Sequence, residues 1–107
     1  MNAWDIYDCD LGWGPHPVVI VSHPDRVARK NPVELLPCSS QRAGRPPGSS
    51  EVLLDEADGL DWPTLCRCDC IYVMPKADLG RKRGTVIPQR RVHIVRVMIQ
   101  AHGWPLF

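Results

Sequence analysis

Eleven prolines and eight glycines punctuate a chain of 107 residues, and no other feature narrows its folding options as far. Proline breaks helix interiors and is kept to the edges, first positions and bulges of sheets, while glycine marks turns. Long helices in a bundle are thereby disfavoured, and short strands joined by turns are expected. A chain of this length sits at the common domain size, so residues 1–107 are expected to form one domain around one core.

The apolar pattern places the strands. WDIYDCDL (4–11) nearly alternates and runs into the turn signal GWGP; HPVVIVS (16–22) is a continuous branched run that suits a strand buried on both faces. VELLPCSS (33–40), EVLLD (51–55) and TLCRCDCIYVM (64–74) read as further strands, the last being the longest. HPDRVARKNP is expected to be a polar connection, DEADGLDWP a turn region, and PKADLGRKRGTV a short helical turn followed by a basic loop. After Pro88 the period changes: Val92, Val95 and Met98 recur three apart with Ile94, Val97 and Ala101 beside them, and Gly103 and Pro105 end a C-terminal helix. The expected architecture is a small barrel or open sheet finished by that helix.

Within the 64–74 segment, CRCDC sets Cys66, Cys68 and Cys70 on one side of a strand and Arg67 and Asp69 on the other. A tetrahedral metal site draws ligands from paired turns, whereas alternate strand positions set them in a row, so core packing accounts for the thiols better and no metal is expected. Five cysteines is an odd number, the N-terminal segment has no basic and apolar leader pattern, and no apolar run approaches a bilayer span. A cytoplasmic protein with reduced thiols and no membrane contact is expected. The net charge of +1 means that a polyanionic partner must be held by a local basic patch.

Arg67 beside Asp69 is on its own an exposed ion pair of little energetic weight. Neighbouring elements alter that reading, because Ser39 and Ser40 end one strand, His16 opens another and Asp5 lies in the first. Together they supply a carboxylate base, a cation, hydroxyl donors and an imidazole, a group that in general titrates near neutrality. QRAGRPPGSS (41–50) has the composition of a polar surface loop and carries Arg42 and Arg45 as backbone contacts or as solvated charge. Arg81, Lys82 and Arg83 admit the same two readings. Trp13, between Gly12 and Gly14, is placed to pack or to stack on a base.

The order Trp4-Asp5-Ile6-Tyr7, His16-Pro17-Val18-Val19-Ile20, Ser39-Ser40 and Arg67-Cys68-Asp69-Cys70-Ile71 resembles the PemK/MazF/Kid family of toxin endoribonucleases over nearly the whole chain. Three positions depart from the family pattern. His16 stands for an arginine, Trp4 for a glycine and Cys70 for a glutamine. The resemblance implies a mainly β (α+β) fold, either a small SH3-like barrel or a strongly twisted antiparallel sheet with a C-terminal helix.

It further implies the toxin of a type II toxin–antitoxin system that cleaves single-stranded RNA, with no metal or other cofactor, by attack of the ribose 2′-hydroxyl. By analogy Asp69 is the base, Arg67 stabilises the phosphorane, His16 is the chemically easier acid, and Ser39 and Ser40 donate to phosphate oxygens. The implied RNA contacts are Ser40, Arg42, Arg45, Asp5 and Trp13, with Asp5 orienting an arginine. The implied partners are RNA, a cognate antitoxin with an acidic disordered segment, and a second copy of the chain in a homodimer. Two other classes stay open on sequence alone: a gyrase poison of the CcdB type, and a catalytically silent RNA-binding relative.

Overall fold

The structure is a computed structural model and describes residues 1–105. Seven strands and two α-helices follow in the order β1 (Asp5–Asp10), β2 (Pro15–Ile20), α1 (Pro24–Arg29), β3 (Val33–Pro37), β4 (Glu51–Leu54), β5 (Thr64–Arg67), β6 (Tyr72–Met74), β7 (Leu79–Thr85) and α2 (Pro88–His102). Single 3₁₀ turns occur at Glu56–Asp58 and Lys76–Asp78. An antiparallel five-stranded sheet runs β6-β3-β2-β1-β7, and β4 and β5 pair as a separate ribbon. No helix among the described residues is long and apolar enough to cross a membrane.

Local chemistry explains the first hairpin. The Asp10 carboxylate accepts from the backbone N–H of Gly12 at 2.8 Å and of Gly14 at 3.1 Å, and both glycines sit at positive φ, +115° and +95°. A side chain at either position would be strained. The returning strand β2 lies inside the sheet, between β1 and β3, and Val18, Val19 and Ile20 are fully buried. That is the environment a continuous branched run requires.

The main core lies where the sheet, the β4–β5 ribbon and α2 meet, and includes Ile6, Val19, Leu36, Val52, Leu54, Cys66, Cys68, Val86, Ile94 and Val97. An isolated bridge between Cys38 and Cys66 joins the ribbon to β3. The sheet stays open at β6 and β7, so of the two expected architectures the twisted antiparallel sheet is found and the closed barrel is not.

Four local expectations change. The segment 64–74 is not one strand: the chain turns at Cys68 and Asp69, so its two halves, β5 and β6, belong to different sheets. The Cys68 N–H still donates to Ser50 O at 2.9 Å, one step further in the β4–β5 register, and inward-outward alternation persists up to the turn, with Cys66 and Cys68 buried and Arg67 and Asp69 exposed. Cys70, past the turn, is only half-buried. The connection at 23–32 contains α1, started by Pro24, capped by the His23 ring accepting from Asp25 N at 3.1 Å, and anchored by buried Val27.

The basic loop is the edge strand β7. It pairs with β1 through register shifts, and its charged residues guard an open edge. Gly84 permits this path, since a Cβ there would lie 2.0 Å from the Asp58 carbonyl oxygen. In α2 the buried residues are Ile94 and Val97, whereas Val92 and Val95 are exposed.

Trp4, just before β1, has φ +71°, in the left-handed region. That region costs an L-residue about 1–2 kcal/mol. Hydrogen bonds from Trp4 N to Ile20 O at 2.7 Å and from Val86 N to Trp4 O at 3.0 Å hold it there.

Candidate nucleic-acid interface

β2, the segment after β3, the 41–50 loop, β5 and β6 converge on two adjoining hollows. The first, about 330 Å³, is lined by Trp13, His16, Pro37, Cys38, Ser39, Arg45, Glu51, Leu65, Arg67 and Tyr72. The second, about 450 Å³, is lined by Arg45, Gly48, Ser49, Ser50, Glu51, Arg67 and Asp69. Arg45, Glu51 and Arg67 form the wall common to both.

The turn after β5 sets the Arg67–Asp69 pair. Arg67 Nε lies 3.4 Å from Asp69 Oδ1 and Nη2 lies 3.5 Å from Oδ2, with both side chains open to solvent. The Asp69 carboxylate raises the Arg67 guanidinium above its already high ordinary value, so Arg67 holds its protons and acts as a fixed cation.

His16 Nδ1 lies 2.7 Å from Gly14 O. A carbonyl oxygen only accepts, so Nδ1 carries hydrogen and Nε2 is the nitrogen left to exchange a proton. Trp13 meets the ring of His16 edge-on at 6.0 Å and that of Tyr72 at 6.2 Å, while 59% of Trp13 stays exposed. An exposed indole held by aromatic neighbours is a ready surface for base stacking. Burial, then a hydrogen bond with Cys70, raises the Tyr72 phenol above its ordinary range, so it stays protonated at neutral pH.

Ser39 lines the first hollow, but its hydroxyl already joins two elements: it accepts from Leu65 N at 3.1 Å and donates to Gln41 O at 3.2 Å. Ser40 and Arg42 are exposed and line neither hollow. Asp5 also lies away from them. Its buried carboxylate accepts from Asn2 N at 2.9 Å and Thr85 Oγ1 at 2.9 Å and meets Lys82 Nζ at 3.5 Å. The expected arginine partner of Asp5 is therefore replaced by a lysine, and the contacts shown tie the N-terminal segment to β7.

Among the lining residues that the sequence reading did not single out are Glu51 and Tyr72. Glu51 opens a strand directly after the arginine-bearing loop, a position that was legible as the loop's closing anchor. Tyr72 became visible only once the chain turned after Asp69. The thiols of Cys66 and Cys68 add no charge near the hollows: a hydrogen bond with Cys38 and burial hold Cys66 protonated, and a hydrogen bond with Cys66 and burial do the same for Cys68. Among the described residues no group of three or more His, Cys, Asp or Glu side chains is placed to hold a metal ion.

An open antiparallel sheet finished by a C-terminal helix and bearing a groove of aromatic and paired ionic side chains places the chain in a class of small, mainly β domains. The sequence pattern of the PemK-like, MazF-like toxins of type II toxin–antitoxin systems matches residues 2–102, and the chain belongs to that family of endoribonucleases. No curated protein matches it.

Among solved structures it resembles an endoribonuclease in complex with its cognate antitoxin from a mycobacterial species, with 26% identity, a TM-score of 0.84, and 100% of this chain and 99% of that one covered. It also resembles the Mycobacterium tuberculosis toxin MazF-mt6, with 22% identity, a TM-score of 0.81 and coverage of 95% and 99%. A mycobacterial endoribonuclease matches at 24% identity with a TM-score of 0.82, covering 100% of this chain and 95% of that one.

Proposed function

We propose that this chain is a metal-independent endoribonuclease that cuts single-stranded RNA in the cytoplasm, acting as a homodimer restrained by a cognate antitoxin. The observation that carries the reading is the shared groove: His16, Ser39 and Arg67 border one hollow, Arg67 and Asp69 the next, and Trp13 and Tyr72 add aromatic surface. Family membership and the endoribonuclease whose structure includes its cognate antitoxin support both the reaction and the partner.

In the reaction the Asp69 carboxylate takes the 2′-hydroxyl proton as the 2′-oxygen attacks the adjacent phosphorus. Charge grows on the nonbridging oxygens, where Arg67 is the fixed cation and the Ser39 hydroxyl, rotated from Gln41 O, is a neutral donor. Protonated His16 delivers a proton from Nε2 to the departing 5′-oxygen. The products are a 2′,3′-cyclic phosphate and a 5′-hydroxyl. Base and acid each contribute about a hundredfold to ten-thousandfold in such chemistry. Arg45 meets the backbone and Trp13 stacks on a base.

The test uses purified chain, a long single-stranded RNA and EDTA, with cleavage ends mapped by their 5′ chemistry. Cutting that persists in chelator and leaves 5′-hydroxyl ends is expected, as is loss of the basic limb of the pH–rate profile in His16→Ala. Chelator-sensitive cutting, 5′-phosphate ends, or undiminished cutting by both His16→Ala and Asp69→Asn would overturn the assignment.

A further inference from the structure

The wall common to the two hollows is electrically closed in the free chain. Both terminal nitrogens of Arg45 meet Glu51, Nη1 to Oε1 at 2.6 Å and Nη2 to Oε2 at 2.9 Å, and Gly48 N donates to Oε1 at 2.8 Å. Arg67 is likewise paired, with Asp69. A polyanion entering the groove thus meets two arginines already neutralised by two carboxylates, and like charges brought together oppose binding.

The two halves of the Arg45–Glu51 pair are not equally held. The Glu51 side chain is 16% exposed on β4, while that of Arg45 is 59% exposed on the 41–50 loop. The carboxylate is the fixed member and the guanidinium the movable one. The fit around the carboxylate is close, since a Cβ on Gly48 would stand 3.1 Å from Glu51 Oε1. A phosphodiester presents two oxygens that an arginine fork grips as it does a carboxylate, so phosphate can take the place of Glu51 without a change in the guanidinium's own geometry.

We propose that the Arg45–Glu51 pair is a strap across the groove and that Glu51 is a positioning residue, which holds the 41–50 loop down in the free chain and yields Arg45 to an RNA phosphate on binding. The inference rests on the RNA-cleaving reading above and adds the event that admits the substrate. Entry of RNA exchanges one anion for another at Arg45, so each binding event breaks an internal pair. Affinity is lower, and less dependent on salt, than a free arginine would make it.

The test measures binding of a 2′-O-methylated RNA, which has no attacking hydroxyl, over a series of salt concentrations. Glu51→Gln keeps the side chain's shape and removes its charge. It is expected to bind RNA about two- to fivefold tighter at low salt, the factor of a partly exposed ion pair. Its plot of log affinity against log salt should steepen by up to about 0.7, because the Glu51 carboxylate freed in wild type takes up a cation that offsets one released by the strand, and Gln does not. In an Arg45→Ala background the same substitution should lose most of that gain.

The wild-type chain supplies a readout that needs no variant. Arg45 holds the Glu51 carboxyl below the ordinary glutamate range, with help from Gly48 and Arg67, and Asp69 lines the same hollow. NMR titration of the Glu51 carboxyl carbon should show its pKa rising when RNA is bound, because Arg45 has left and phosphates have arrived. Weaker binding by Glu51→Gln with an unchanged salt slope, an equal gain without Arg45, or an unmoved Glu51 titration would overturn the strap. Such results alongside RNA cutting by wild type leave the nuclease reading standing, whereas a wild-type chain that neither binds nor cuts RNA removes both.

Discussion

Two of this molecule's clusters of arginine and carboxylate are built from the same groups and set in different surroundings. Asp55, Asp58 and Arg90 join the Glu56–Asp58 turn to the start of α2; Arg45, Glu51, Arg67 and Asp69 border the groove. In the first the Asp58 side chain is wholly buried, and its carboxylate accepts from Asp55 N and Ile87 N, each at 3.0 Å, as well as from Arg90. Ile87 precedes a helix that has no side-chain cap, so Asp58 satisfies an N–H there that would otherwise lack a partner. In the second, the Arg67 and Asp69 side chains are 57% and 36% exposed. Solvent separates the roles: a desolvated pair is ruinous to break, whereas a wet pair can exchange one anion for another.

The sharpest test of that contrast is Asp69→Ala. Its RNA-cleaving rate should fall by about a hundredfold to ten-thousandfold, the worth of a general base, while its Tm stays close to wild type because a surface pair adds about 1 kcal/mol at most. A large loss of Tm would place the pair in the structural class and break the comparison.

Asp58→Ala should behave in the opposite way. It leaves Arg90 short of one buried partner and Ile87 N without an acceptor, at a cost of about 3 kcal/mol in denaturant unfolding. Residual RNA cleavage per folded molecule should match wild type. Unchanged unfolding would show that Asp55 alone secures Arg90.

The smallest effect is a pH dependence. The hydrogen bond from Arg90, then that from Ala57 N, holds the Asp55 carboxyl below the ordinary range. A carboxyl depressed by folding adds stability above its unfolded pKa, about 3.9 for aspartate, and that stability is lost as pH falls through the folded value. Between about pH 5 and pH 2 wild type should therefore lose Tm more steeply than Asp55→Asn, by about 4 °C or less. Parallel curves would remove Asp55 from the structural cluster's ionic balance.

How much of this was legible in advance differs between the fold and the groove. Breakers and branched runs located β1 to β4 to within a few residues and the start of β5, though not its end, and the Pro88 and Gly103 boundaries of α2 match the structure. Arg67, Asp69, Ser39, His16, Trp13 and Arg45 all border the hollows, and each was singled out by residue type and family order. Ser40, Arg42 and Asp5 do not, because being next to a functional residue in sequence says little about which wall a side chain faces. Glu51 was passed over for the converse reason, since its partner Arg45 lies across a loop whose path has no periodic signal.

What the chain determined alone is local and steric. Two glycines at positive φ and one aspartate close the first hairpin, alternating side chains bury Cys66 and Cys68 while exposing Arg67 and Asp69, and proline and glycine bound the final helix. What only the tertiary structure decided is pairing at a distance: the division of CRCDCIYVM between two sheets, the edge strand made from a basic segment, and the separation of one arginine–carboxylate cluster into the interior and another onto the groove. Backbone preferences act over a few residues. The energy of an ion pair depends on how much water remains around it, and that is known only when the whole chain has closed over it.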